Sequence, residues 1–466
     1  MTNGVRRTTF RERYAYLLDH IRTKISSGEW PPGQYIPAEN ELARLFQLSR
    51  PSVRKVLNEL SEEGLIHTMH GKGSVVTEAE PACTYLNLFW GVPSFEFETV
   101  NEIVTRFNQA NPFVKVEITQ VPRETILSAT QEGSFMGRVK PDLVGLPNTM
   151  FFQISDGEPD KLLKPITLED PDDFYEAYRR AFTHEGKLWA APIMFAPIIL
   201  AYNKTIFDRL GLSYPDETWT WDELLQASQA LTEYDGGQAE RYGFSFTASA
   251  NRWPLFVLQN GGAFVEGRQL LPEDSRTWEA LQFSADLMYK YQVSPIYSTG
   301  HAKTGEGLFL REKVGMILTS YTFMEQFRDI DFEWDFVPFP GKVADAGLGI
   351  CSGIGISSHC TSVHAAEQFI RYVTSETAQA DMKHRVCSIP ARRSVAESRD
   401  FPHYPLAGKR YYSFQSITER AQTIKDFGLT YKQFMDLDNE LGLLWANVES
   451  VQDVWRTLRG KWNVHM

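Results

Sequence analysis

The sequence predicts a multi-domain chain: a small α+β module followed by a much larger α/β body. Three observations carry this. A length of 466 residues exceeds what one hydrophobic core serves, so two or three cores are expected. The apolar pattern also changes along the chain. Residues up to 77 read as three helices and a hairpin, whereas from Tyr85 onward short apolar strands alternate with amphipathic helices. Charge is unevenly placed as well. The chain carries −12 overall, but residues 1–78 hold 11 Lys+Arg against 9 Asp+Glu, a balance of +2, which leaves −14 on the remainder. An acidic body repels nucleic acid, so any nucleic-acid contact would have to come from the first module.

Taken in order, Tyr14, Leu17, Leu18, Ile21 and Ile25 form the apolar stripe of a first helix that stops at Ser26-Ser27-Gly28. Pro31-Pro32-Gly33 separates it from a short helix over 39–46, with Leu42, Leu45 and Phe46 expected inward. Ser49 is a good N-cap and Pro51 fits a first turn, so a third helix is expected to run to Gly64. Val53, Val56, Leu57 and Leu60 make its buried stripe and leave Arg50, Ser52, Arg54 and Lys55 outside. Two arginines four apart near a helix N-terminus can direct both guanidinium forks into a major groove. Leu65–Met69 and Ser74–Val76 read as two strands, with His70-Gly71-Lys72-Gly73 as the tip of a small basic wing. This is how a winged helix-turn-helix is built.

The ordered string Ile25-x-x-Gly28-x-x-x-Pro32-Gly33-x-x-Ile36-Pro37-Ala38-Glu39-x-x-Leu42-Ala43 carries a family resemblance. So do Ser49-Arg50-x-x-Val53-Arg54, Glu63-Gly64-Leu65-Ile66 and Gly71-Lys72-Gly73. Together they resemble the GntR family of bacterial transcription regulators over about residues 10–77. The resemblance implies binding to double-stranded operator DNA, with Ser49, Arg50, Ser52 and Arg54 at bases or phosphates. It also implies that His70, Gly71 and Lys72 enter the minor groove. Many members carry Arg after the second-helix Glu. Asn40 stands there in this chain, so a base contact at that position is expected to be altered. The module is assigned to residues 8–77 and a linker to 78–83, polar and proline-bearing, which at 3.3 Å per residue reaches only about 20 Å.

Hydrophobic residues at 42% and charged residues at 23% exclude a disordered or membranous chain, and no run approaches eighteen apolar residues. The opening Met1-Thr2-Asn3-Gly4-Val5-Arg6-Arg7 leads into a polar amphipathic helix without an apolar h-region. A cytoplasmic location is therefore expected. Cys83, Cys351, Cys360 and Cys387 are widely spaced without CxxC and read as reduced thiols. The glycine-rich loop Gly347-x-Gly349 to Gly353-x-Gly355 lacks the spacing of a phosphate cradle. HExxH, GxSxG and clustered Cys/His ligands are missing too. No enzyme activity, cofactor or metal is expected.

In the body, strands are predicted at Tyr85–Trp90, Val114–Thr119, Asp142–Leu146, Ile198–Tyr202, Tyr242–Phe246, Val314–Leu318 and Trp334–Val337. Helices are predicted at Val100–Asn111, Glu124–Gly133, Trp221–Tyr234 and Trp278–Tyr291, with a mostly helical stretch from Val363 onward. Alternation of this kind implies parallel sheets flanked by helices. Several segments resemble the extracellular solute-binding proteins that feed ABC importers, in the sugar-binding, maltose-binding-protein-like branch. They are Leu86-Asn87-Leu88-Phe89-Trp90-Gly91, Pro141-Asp142-Leu143-Val144, Gly186-Lys187-Leu188-Trp189-Ala190-Ala191-Pro192, Ala201-Tyr202-Asn203-Lys204, Thr218-Trp219-x-x-Asp222-Glu223-Leu224 and Ile389-Pro390-Ala391-Arg392. Ser320-Tyr321-Thr322 departs from the Gly-Pro-Trp common in that family, and the last fifty residues match poorly.

The resemblance implies that residues 84–466 form a two-lobed α/β domain of the periplasmic-binding-protein type (type II). Its crossings would lie near 193–197, 348–357 and 386–393. Ligand would bind between the lobes, with Trp90, Phe195, Trp253 and Tyr321 as stacking platforms and Asp142, Ser352 and Arg392 as polar contacts. Aromatic faces suit the C–H faces of sugars, so a sugar or oligosaccharide effector is expected. The expected whole is a ligand-responsive, homodimeric transcription regulator without a membrane partner. The alternatives are a carbohydrate ABC transport component and a regulator of a non-sugar polar solute.

Overall fold

The computed structural model describes residues 10–463 apart from 27, 63, 70–71, 78–82, 93, 95, 267–268, 271–274, 297–302 and 404–410. The first module is a three-helix bundle with a hairpin. Helices α1 (Phe10–Ser26), α2 (Glu39–Leu45) and α3 (Arg50–Glu62) pack with strands β1 (Ile66–Met69) and β2 (Gly73–Val76). The expected stripes are buried: Leu17, Ile21 and Ile25 on α1, and Val53, Val56, Leu57 and Leu60 on α3, share one cluster with Leu42, Ile66 and Val76. Ser49 caps α3, its Oγ accepting from the Ser52 amide at 3.3 Å. Gly28 and Gly64 end α1 and α3 with φ near +75°, where a side chain would be strained. One expectation is corrected. Leu45 is 58% exposed: Leu42 and the partly buried Phe46 are the residues around α2 that pack on this cluster.

In the body, β3 (Thr84–Val92), helix α4 (Phe97–Ala110), β4 (Val114–Pro122) and β5 (Leu143–Pro147) build the first lobe's sheet. The long β6 (Ala191–Asn203) follows, then β7 (Glu233–Asp235), β8 (Gln238–Phe246), β9 (Val314–Ser320), β10 (Trp334–Pro338) and β11 (Gly347–Ser357). The main hydrogen-bonded path runs β7–β8–β9–β6–β11–β5–β3–β4, with β10 also on β6. β3 is parallel to β4 and β5, as the alternating pattern requires, while β6 and β11 run antiparallel to their neighbours on this path.

β6 makes the passage between lobes. Ala191 to Pro197 pair with β11 in the first lobe, and from Ile198 onward the strand pairs with β9 and β10 in the second. Pro197 sits at this changeover. All thirteen residues of β6 are buried, so the sequence shows a continuous apolar run rather than alternation. The region read as a glycine-rich loop is the strand β11. A Cβ on Gly353 would meet the Ala191 carbonyl at 2.9 Å, so glycine lets two crossing strands approach.

Helices α5 (Val363–Val373) and α6 (Glu376–Arg385) return to the first lobe, and β12 (Ile389–Pro390) pairs with Phe195 and Met194 of β6. The third passage comes later than the expected 386–393. Residues 389–396 stay in the first-lobe and shared clusters, Ala421–Gln422 pair with the start of β11, and Ile424 is the first residue of this stretch in the second lobe's core. The chain closes with α7 (Tyr431–Trp445) and α8 (Val451–Asn463), which pack into that second core. A further buried cluster is shared by both lobes. It joins Phe89, Leu146 and Tyr178 of the first to Ile317, Tyr321 and Phe336 of the second.

Candidate functional site

On the first module the N-terminal half of α3 is the exposed one. Arg50, Arg54 and Lys55 face solvent, Ser52 is half-buried, and Asn40 on α2 is exposed beside them. Arg54 is not loose. Its Nε and Nη2 donate to the two carboxylate oxygens of Glu39 at 3.1 and 2.9 Å, a fork-to-fork pair joining α2 to α3. The Arg54 hydrogen bond holds the Glu39 carboxyl below its ordinary range. Three of the five guanidinium N–H groups remain for other partners. Ser49 and Ser52 hydroxyls lie 2.7 Å apart at the same helix end. Lys72 is exposed beside the β1–β2 turn, its amide bonded to the Met69 carbonyl, while His70 and Gly71 lie outside the described residues. The arrangement presents cationic and hydroxyl donors on one rigid helix end.

The expected ligand platforms lie elsewhere than in an open cleft. Trp253 is fully buried in the second lobe, its Nε1 donating to Asp438 Oδ1 at 3.0 Å, with Phe427 and Phe434 nearly parallel to its ring. Its faces are taken by core neighbours, which corrects the expectation of a stacking platform. Phe195 is corrected likewise. It is 1% exposed and stacked on Tyr178 at 4.1 Å. Tyr321 is buried and directs its hydroxyl to the Tyr411 carbonyl at 3.4 Å. Asp142 precedes β5 and accepts the Asn87 amide at 3.0 Å, pegging two strands together. That is the amino end of the parallel strands, opposite to where such sheets bind ligands. Arg392 lies between Asp170 (3.7 Å) and Asp173 (3.4 Å) and over the Phe174 ring, which makes it a structural clasp.

Two expected residues do stand at the ligand-binding end of the first lobe. Trp90 closes β3 at its carboxyl end, packed over Gly145 and 4% exposed. Ser352, on the crossing strand β11, donates its hydroxyl to Glu96 Oε2 at 2.8 Å. Glu96 was not singled out from the sequence, since one acid in Phe95-Glu96-Phe97-Glu98 carries no pattern. Desolvation raises its carboxyl pKa, opposed by the Ser352 hydroxyl and by nearby Arg123. The two lobes meet at Thr322 and Ser388, whose hydroxyls are 3.0 Å apart. A cavity of about 10 Å³, lined among others by Ile198, Phe339, Gly347 and Ile417, lies where the crossings meet and has room for about one water.

A winged helix with a cationic reading end, carried by a hinged two-lobed body, defines a DNA-binding module fused to a binding-protein domain. Comparison with known proteins agrees. Residues 96–380 match the family described as Bacterial extracellular solute-binding protein, and residues 13–76 match Bacterial regulatory proteins, gntR family. The chain belongs to the solute-binding family and carries a GntR domain at its N-terminal end.

The body is 22% identical over 302 residues to the arabinooligosaccharide-binding protein of Bacillus subtilis, covering 61% of this chain and 68% of that one. The first module is 41% identical over 69 residues to the arabinose metabolism transcriptional repressor of Geobacillus stearothermophilus. That match covers 15% of this chain and only 19% of the repressor. Among solved structures, the ABC substrate-binding protein Lmo0181 from Listeria monocytogenes in complex with cycloalternan superposes with a TM-score of 0.70. It is 21% identical and covers 82% of this chain and 98% of its own.

Proposed function

We propose that the chain is a cytoplasmic transcription regulator that binds operator DNA as a homodimer through α3 and its wing. Its activity is set by a sugar or oligosaccharide held between the two lobes. The observation that carries the reading is the solvent-facing, Glu39-braced Arg54 beside Arg50 on the same chain as a hinged binding fold. Likeness of the body to the arabinooligosaccharide-binding protein supports a pentose oligosaccharide as the first effector to try. The reading assigns the chain no catalytic step. Among the described residues, no helix is long and apolar enough to cross a membrane.

The test combines selection of duplexes from a random DNA pool with a thermal-shift screen of arabino- and malto-oligosaccharides. A ligand at a hundred times its Kd adds about 2.7 kcal/mol of stability. Failure to enrich any duplex sinks the regulator reading. The family's extracellular members and the near-complete cover of Lmo0181 favour one competing role, a transport-side binding protein. Recovery of the native protein outside the cytosol, with sugar binding and no duplex enrichment, would establish that role instead.

A further inference from the structure

Among the described residues, Arg22 on α1 is a side chain through which the first module touches the body. It is 14% exposed and spans two partners on different domains. One is Glu59 on α3, at 3.7 Å, which also accepts the Tyr14 hydroxyl at 3.0 Å. The other is His364 on α5, whose Nδ1 lies 3.3 Å from Arg22 Nη1. A guanidinium has no lone pair to offer, so Arg22 donates and His364 presents an unprotonated Nδ1.

Each end of this bridge is anchored to something that matters. Glu59 lies five residues along α3 from Arg54, about 7.5 Å of a rigid helix, so a tilt imposed at Glu59 is felt at the reading end. α5 buries Ala366, Phe369 and Ile370 in the first lobe's core and packs against β3 and β11. β11 is one of the two long strands at the lobe crossing, so movement at that crossing bears directly on α5.

We propose that the Glu59–Arg22–His364 bridge is the contact by which the state of the body sets the orientation of the DNA-reading helix. The inference rests on the regulator reading above. A connection of about six residues limits distance to about 20 Å, but its length alone does not fix orientation. A side-chain bridge between two helices can. His364 acts here as a positioning residue. It sits on the face of α5 turned to the first module.

The test uses the full chain, a duplex selected by the wild type from a random pool, and arabinotriose and maltotriose as probes. The wild type should change its duplex affinity on sugar addition within the usual effector range of about 5–150-fold. His364→Ala should reduce that change to less than about twofold while calorimetry shows sugar affinity retained. His364→Asn, whose Oδ1 replaces the Nδ1 acceptor, should restore most of the response. Without any ligand, Arg22→Met and His364→Ala should be non-additive in thermal unfolding, as groups in contact are. A His364→Ala protein that responds like the wild type, or strictly additive single variants, overturns the bridge alone. A wild type that selects no duplex overturns the regulator reading and the bridge with it.

Discussion

Arg54 illustrates how one residue can be both bracing and reading. Two of its N–H groups are spent on Glu39, which fixes the plane of the guanidinium, and the rest point to solvent at the α3 N-terminus. Arg54→Ala and Arg50→Ala are each expected to abolish discrimination between operator and random duplex, a lost bidentate contact costing about 1–3 kcal/mol. Lys72→Ala should weaken binding to every sequence and lower the salt slope by about 1, because a wing lysine meets phosphate. Gel shifts at two salt concentrations separate the two kinds of loss, and undiminished selectivity in both arginine variants would refute the assignment. The Glu39 carboxyl is held below its ordinary range, so its brace is fully present above that range and is lost only as pH falls through the depressed value. Mild acidification should therefore leave this pair intact.

At the scale of elements, periodicity told which residues are buried but not what they are buried against. The α3 stripe of Val53, Val56, Leu57 and Leu60 was legible because a helix face and a core coincide there. Ser49 was legible as a cap because capping is local chemistry. Trp253 and Phe195 were not, since an aromatic in a cleft and one in a core look alike until the neighbours are known. Asp142 was misassigned because a motif does not say which end of a strand it occupies. Glu96 was missed because its partner Ser352 lies 256 residues away. The corrected placement of Trp253 changes what its removal does. It fills the second lobe between Phe427 and Phe434, so Trp253→Ala should cost about 3–5 kcal/mol of stability. Denaturant unfolding should show that loss with or without sugar. A stable variant with a selective loss of sugar binding would restore Trp253 to the cleft.

For the whole molecule, symmetry and hinge motion make separate predictions. One winged helix reads too few base pairs to stand out among competing genomic sites, so two copies on a near-palindromic duplex are expected. A single chain per minimal duplex in light scattering would contradict that. Hinge motion is expected of a two-lobed fold in which β6 crosses from one lobe to the other, and a sugar bound between the lobes would hold them in a set arrangement. Because the first module rests on the body through Arg22 and His364, that arrangement should alter duplex affinity. Linkage makes the effect reciprocal. If sugar changes duplex affinity by a factor within about 5–150, the duplex changes sugar affinity by the same factor, a coupling of about 1–3 kcal/mol. Calorimetric titration of the sugar with and without the duplex reads this directly, in a quantity that DNA-binding assays do not share. Unequal affinities in the ratio found by gel shift are the expected result. Equal affinities would mean that the lobes and the DNA-reading helix share a chain without sharing a free energy.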